Sequence, residues 1–285
     1  MWITFAFGSA LFAGITAILA KTGVKNVDST VATALRTIVV LVFAWGMVFL
    51  VGSQSGIYHL TRRTLLFLIL SGAATGASWL CYYRALQLGN VNQVTPIDKS
   101  STVLAMILAI LILHESVTWL KVVAMVLILV GTMLMITRQR GGVKQSRSGW
   151  LFFAVLSAVF AALTSILGKI GIEGVESNLS TAIRTSVVLV MAWMMVLLTG
   201  KAPQVGKVSL RSAAFLTLSG IATGASWLCY YRALQLGPAS VVVPIDKLSI
   251  LVTVLFSRIA LKEKLSGQAL AGLILIVAGT LSLLI

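Results

Sequence analysis

Nineteen residues, Ser71-Gly-Ala-Ala-Thr-Gly-Ala-Ser-Trp-Leu-Cys-Tyr-Tyr-Arg-Ala-Leu-Gln-Leu-Gly89, return as Ser219 to Gly237 with a single change, Ala73 to Ile221. The offset of 148 residues also pairs Lys21 with Lys169, Arg36 with Arg184, Trp45 with Trp193, Pro96 with Pro244, Asp98 with Asp246, Lys99 with Lys247 and Glu115 with Glu263. A register that holds from end to end is the mark of a tandem duplication. Each copy holds five apolar runs, near 2–20, 30–51, 65–88, 91–113 and 117–137, then 149–168, 178–199, 212–236, 239–261 and 265–285. Runs of this length suit helices that cross a hydrocarbon core. Five is odd, so the second copy must enter the bilayer from the opposite face. The expectation is an all-α polytopic membrane protein of about ten transmembrane helices, arranged as two inverted five-helix repeats. Residues 1–137 form the first, residues 138–148 a basic linker and residues 149–285 the second.

Composition agrees and narrows the function. Of 285 residues 59% are hydrophobic and 10% charged, and the mean hydropathy is +1.03, far from a chain that folds in water. No phosphate-cradling G-x-x-x-x-G-K-[ST] loop is present, so the chain has no nucleotide-driven motor of its own. The net charge of +15 fits cations flanking membrane spans. It does not imply nucleic acid, because no basic stripe lies on a polar domain. His59 and His114 are the only histidines and Cys81 and Cys229 the only cysteines, too few ligands for a zinc site. No metal or cofactor is expected. The first span lacks a basic leader and matches residues 149–168, so it is expected to be retained.

Ionisable residues at membrane depth are functional candidates. Asp98 and Lys99 lie inside the fourth run, roughly 10 Å deep at 1.5 Å per residue, and Arg36 is comparably placed in the second. Asp246, Lys247 and Arg184 repeat them. Lys21 and Arg84, with Lys169 and Arg232, lie nearer the ends of their runs. Up-down threading gathers each set toward one side and gives two equivalent polar layers, one on each side of the midplane. Neighbouring positions on a helix are about 100° apart, so Asp98 and Lys99 are expected to find partners on other helices; a fixed structural ion pair or a snorkelling cation fits the same residues. Pro96 and Pro244 each release a carbonyl four residues earlier, of Asn92 and Ser240, and are expected to kink the helix beside the charge. Trp79 and Tyr83, like Trp227 and Tyr231, are four apart and share a helix face. Such a face stacks a planar solute or forms an interfacial aromatic belt. Gly72-x-x-x-Gly76 and Gly220-x-x-x-Gly224 allow close helix packing. Trp45 and Trp193 read as packing or lipid contacts, and Glu115 and Glu263 as solvated helix ends.

The repeat, the Gly-bounded connection after Tyr-Tyr-Arg-Ala-Leu-Gln-Leu and the following Pro-Ile-Asp-Lys resemble the EamA-type members of the drug/metabolite transporter superfamily, most strongly over residues 71–137 and 219–285. The resemblance implies ten helices in two inverted repeats and a central cavity lined mainly by the first four of each, and no nucleophile–base pair, His cluster or metal constellation at depth points to an enzyme. It places Arg36, Trp79, Tyr83, Asp98, Lys99, Arg184, Trp227, Tyr231, Asp246 and Lys247 near that cavity as substrate-binding or gating residues. It implies a secondary transporter, an exporter of a small metabolite or amino-acid-like solute working by alternating access. Its partners would be that solute, a coupling proton or counter-substrate, and the lipid of a bacterial or archaeal plasma membrane, with the chain acting as monomer or homodimer. A passive channel or facilitator, or a non-catalytic scaffold, is the alternative. The near-identity of the halves suggests fusion of a five-helix protein that worked as an antiparallel dimer. Loop charges put the linker face, rich in Arg138, Arg140, Lys144 and Arg147, in the cytoplasm, whereas the resemblance puts both termini there.

Overall fold

A computed structural model of the chain describes residues 1–23, 27–88, 91–135, 149–260 and 266–285. The linker 138–148, Lys25, Lys262, Glu263 and Lys264 lie outside the described residues, as do the side chains of Lys21, Pro96 and Arg258. Twelve α-helices are described: α1 (Trp2–Gly23), α2 (Ser29–Val51), α3 (Arg62–Leu88), α4 (Val91–Lys99), α5 (Ser101–Ile112), α6 (Trp119–Met135), α7 (Trp150–Gly171), α8 (Ser177–Leu198), α9 (Leu210–Leu236), α10 (Ala239–Lys247), α11 (Ser249–Ala260) and α12 (Gly267–Ser282). Among the described residues, seven spans are long and apolar enough to cross a membrane: 2–20, 29–51, 62–88, 150–171, 177–198, 210–236 and 239–256. Trp119–Met135 and Gly267–Ser282 are shorter apolar helices.

The helix ends follow local chemistry. Asp28 caps α2, its Oδ1 accepting from the Thr30 N–H at 2.8 Å. Glu176 caps α8 through Leu179 N at 3.0 Å, and Ser209 caps α9 through Ser212 N at 3.2 Å. Each satisfies a first-turn donor that the helix leaves open. Gly52, at φ 73°, ends α2 in the left-handed conformation that glycine adopts without a Cβ clash.

The fourth run of each copy is not one helix. α4 stops at Lys99 and α5 starts at Ser101, and the corresponding break between α10 and α11 falls at Leu248. There the ladder tightens to three-residue bonds, Ser100 N to Ile97 O at 3.2 Å and Leu248 N to Ile245 O at 2.9 Å. The interruption falls four residues after Pro96 and Pro244, directly beyond each Asp-Lys pair.

The halves hold each other. α3 lies along α7, α1 along α9, α2 along α8 and α6 along α12, whereas packing inside either half is sparse among the described residues. Short hydroxyl side chains seam the first two pairs. Ser71 Oγ donates to Thr164 O at 2.7 Å and Ser78 Oγ to Ser157 O at 3.0 Å. At the repeat positions Ser219 Oγ donates to Thr16 O at 3.1 Å and Ser226 Oγ to Ser9 O at 3.1 Å. Gly72 and Gly220 let the backbone carbonyls of Arg184 and Arg36 approach; a Cβ there would lie 2.9 Å and 3.1 Å from them. Interfaces of small residues with interhelical hydroxyl bonds are how helices associate where lipid offers no hydrophobic drive. Trp45 and Trp193 pack against buried apolar clusters, and Trp45 Nε1 also donates to Ser186 Oγ at 3.4 Å.

Candidate functional site

Asp98 and Asp246, both half-buried, are held by the opposite half. Ser157 Oγ on α7 donates to Asp98 Oδ1 at 2.8 Å, and Ser9 Oγ on α1 donates to Asp246 Oδ1 at 2.6 Å. Ser9 and Ser157 are themselves 148 apart, so one arrangement occurs twice. The expectation that the adjacent Asp and Lys cannot pair fails in the second copy: Lys247 Nζ lies 3.7 Å from Asp246 Oδ2. The helix break just beyond Lys247, with the reach of a four-carbon stem, lets its ammonium fold back over the preceding residue.

The two arginines are not equivalent, although equivalent layers are expected. Arg184 is 2% exposed. Its Nε donates to Ser71 Oγ at 3.0 Å and its Nη2 to Thr75 Oγ1 at 2.6 Å. Its guanidinium carbon stands 5.0 Å from the Trp227 ring centre and 4.8 Å from that of Tyr231, a cation–π clamp. Nη1 has no partner among the described residues. Arg36 stays half-buried, and Tyr83 is half-buried where its counterpart Tyr231 is 2% exposed. The second aromatic pair thus holds a protein cation, which the bare spacing does not reveal.

Three cavities surround these groups. One of about 260 Å³ is lined by Trp79, Arg184, Trp227, Tyr231, Asp246 and Lys247, among others. One of about 360 Å³ is lined by Lys99 and Lys247 with Ala13, Thr102 and Ile250. A third of about 520 Å³ takes in Tyr83, Arg84, Phe153 and Lys201. Ala13 and Lys247 border both of the first two. Of the expected site residues, Arg36 and Asp98 line none of the three.

The helix ends near Glu115, Lys169, Gln235 and Ala239 are fastened together. The Glu115 carboxylate accepts from Ala239 N at 2.6 Å, from Ser240 N at 3.0 Å and from the Ser240 hydroxyl. It therefore caps α10, a helix of the other half, where the helix dipole favours negative charge. With its side chain 11% exposed and Lys121 Nζ 3.9 Å away, Glu115 is no solvated helix end, contrary to expectation. Lys169 Nζ donates to Leu234 O at 2.6 Å and to Gly237 O, and Gln235 Nε2 donates to the carbonyls of Ile172 and Val175 at 2.9 and 2.6 Å. Beneath them Leu68, Ile172, Leu234, Val241, Val243 and Ile245 form a closed apolar cluster. At the opposite ends of these helices, Lys201 Nζ binds Asp28 Oδ2 at 2.7 Å and Thr30 Oγ1 at 3.2 Å. Burial pushes the Asp28 carboxyl up, but the Lys201 ammonium and the Thr30 N–H hold it below the ordinary carboxylate range.

Reasoning from sequence missed Ser9, Ser157, Ser71 and Thr75 and misread Glu115. All recur at the 148-residue offset as serine, threonine or glutamate, and that recurrence was the available signal.

Apolar helices of spanning length, with charged and aromatic side chains gathered around internal cavities, define a multi-pass membrane protein. The EamA-like transporter family pattern matches residues 1–137 and again residues 148–285, and the chain belongs to that family. It is similar to an uncharacterized transporter in the cobO 3′ region of Sinorhizobium sp., 46% identical over 134 residues that make up 47% of this chain and 95% of that relative. That relative is therefore about half as long. It is also similar to the uncharacterized transporter sll1164 of Synechocystis sp., 26% identical over 220 residues, 70% of this chain and 60% of that protein. One solved crystal structure superposes with a TM-score of 0.79 at 18% identity, over 98% of this chain and 95% of the other; that likeness is one of fold.

Proposed function

We propose that the chain is a secondary exporter of a small solute, built as two inverted five-helix repeats with ten spans and working by alternating access. In this reading α4 with α5, and α10 with α11, are the broken fourth and ninth spans, and residues 1–137 and 149–285 are the repeats joined by a basic linker. The site is formed by Arg36, Trp79, Tyr83, Asp98 and Lys99 with Arg184, Trp227, Tyr231, Asp246 and Lys247. A relative half as long supports descent from a five-helix protein that paired with a second copy.

The observation that carries the reading is the unequal surroundings of repeat-related groups. Arg184 is clamped by Ser71, Thr75, Trp227 and Tyr231. Every member of that clamp has a counterpart for Arg36, namely Ser219, Thr223, Trp79 and Tyr83, yet Arg36 stays half-buried and makes no hydrogen bond or cation–π contact with them among the described residues. Exchange of the two arrangements closes one end as it opens the other, and repeat symmetry makes the two states close in energy. The contacts of Glu115 with α10 support reading that end as the closed one, and the 520 Å³ cavity beside Tyr83 supports reading the other as the more open. A channel needs one continuous polar path instead of two alternating seals.

Counterflow in proteoliposomes tests this. Vesicles loaded with unlabelled solute should transiently accumulate the labelled solute above its equilibrium level, which a carrier does and a channel cannot. Monotonic equilibration with every solute tried would identify a channel and refute the carrier.

A further inference from the structure

We propose that the 360 Å³ cavity selects an organic monocarboxylate, whose carboxylate lies between Lys99 and Lys247. The proposal deepens the transporter reading and rests on it for its physiological consequence. Both ammonium-bearing residues line this one cavity, although they come from different halves of the chain and from equivalent positions beside the two helix breaks. Lys99 makes no hydrogen bond or ion pair among the described residues, and both lysines are exposed into the cavity. An ammonium within a membrane span is costly unless it is paired or meets a polar ligand. Two of them facing one cavity repel each other until an anion enters.

The charge count sets the valence. Lys99 and Lys247 are the charged members of the lining, which contains no carboxylate; Asp98, adjacent to Lys99, and Asp246, 3.7 Å from Lys247, stand outside it. Two ammonium groups backed by two carboxylates accept one negative charge at lower cost than two, which favours a monoanion over a dianion. An amino acid would also bring an ammonium, and the lining of this cavity contains no carboxylate to receive it. The walls fix the rest of the ligand. Ala13, Ala17, Ile250 and Ile276 offer apolar surface, and Thr102 and Thr253 offer hydroxyls. That lining fits an apolar body with one charged end, in a volume at the small end of ligand pockets.

The test uses the full chain, purified in detergent, and thermal stabilisation by four compounds of one shape: benzoate, benzamide, benzylamine and phenyl phosphate. Benzoate should raise the melting temperature in a saturable manner, with benzamide and benzylamine ineffective. Lys99→Gln should weaken benzoate about ten- to hundredfold, the loss expected for one charge-assisted hydrogen bond. Lys99→Arg should retain most of the affinity. Equal stabilisation by benzamide, a stronger effect of phenyl phosphate, an unchanged benzoate affinity in Lys99→Gln, or no shift by benzoate would each overturn the proposal. Counterflow separates the two readings: accumulation of amines but not acids would remove the carboxylate site and leave the carrier standing.

Discussion

Removing the Glu115 carboxylate should loosen the closed end without unfolding the chain. Glu115 accepts three hydrogen bonds from the first turn of α10 and no other group described there replaces it. Hydrogen bonds to a charged group contribute about 1.5–3 kcal/mol each and are not additive within one cluster, so Glu115→Ala should cost the closed end about 2–4 kcal/mol. At about 1.4 kcal/mol per factor of ten, the closed-to-open ratio falls roughly 30-fold to several hundredfold. Glu115→Gln keeps one carbonyl acceptor but no charge, and should lose about half that free energy. A thiol placed by Val243→Cys in a Cys81→Ser, Cys229→Ser background reports the change, because Val243 is 4% exposed inside the apolar cluster. Its labelling by a water-soluble maleimide should accelerate in proportion to the open population. Size-exclusion profiles matching the parent would establish that the variants remain folded. A labelling rate in Glu115→Ala within about twofold of the parent would refute the reasoning, since the clamp would then hold nothing shut.

Asp98→Asn and Asp246→Asn should each abolish or strongly impair transport while leaving folded protein in the membrane; pH-driven activity persisting in the double variant would exclude proton coupling through them. The Asp28–Lys201 pair should stabilise the fold by at most about 1 kcal/mol at neutral pH, as half-exposed pairs do. Because the fold lowers the Asp28 pKa, that contribution is whole above the unfolded value near 3.9 and is lost as pH falls through the folded value. Acid unfolding curves of Asp28→Asn should therefore lack this component. Gly131→Ala puts a Cβ 2.6 Å from Gly272 O and 2.9 Å from Ile276 N, both backbone atoms, and should lower the melting temperature through about 1–3 kcal/mol of overpacking; an unchanged value would mean that α6 and α12 separate freely. Val143→Cys in the cysteine-free background should resist an impermeant reagent added outside intact cells if the linker is cytoplasmic, and external labelling would reverse that orientation.

The helices were legible because span length and hydropathy are properties of local sequence. So were the paired charges, since a duplication marks its own functional positions twice. Which helix meets which was not. The pairing of α1 with α9 and α3 with α7 depends on serines, threonines and glycines whose spacing marks a close approach without naming a partner. Asp98 and Asp246 were found as buried charges, whereas Ser157 and Ser9, which hold them, resembled any small residues of a packed helix. The break at Leu248 has no signal in the bare sequence, and it is beside this break that Lys247 folds back to Asp246. Glu115 was misread because its position at a helix end suggests water, while its partner is the start of a helix 124 residues further on.

The interlocking of the halves also governs how the protein is made. The first half finds few packing partners of its own among the described residues, since α1, α2, α3 and α6 each lie chiefly against a helix of the second half. A ribosome adding about 5–20 residues per second needs roughly 7–30 s to extend the chain by one repeat length. For that interval the early helices sit in the bilayer with their Ser-Thr-Gly faces bare, and with Asp98 lacking the hydroxyl of Ser157. Quality control in the membrane has its opportunity then, and a nascent half from a neighbouring ribosome presents the same faces.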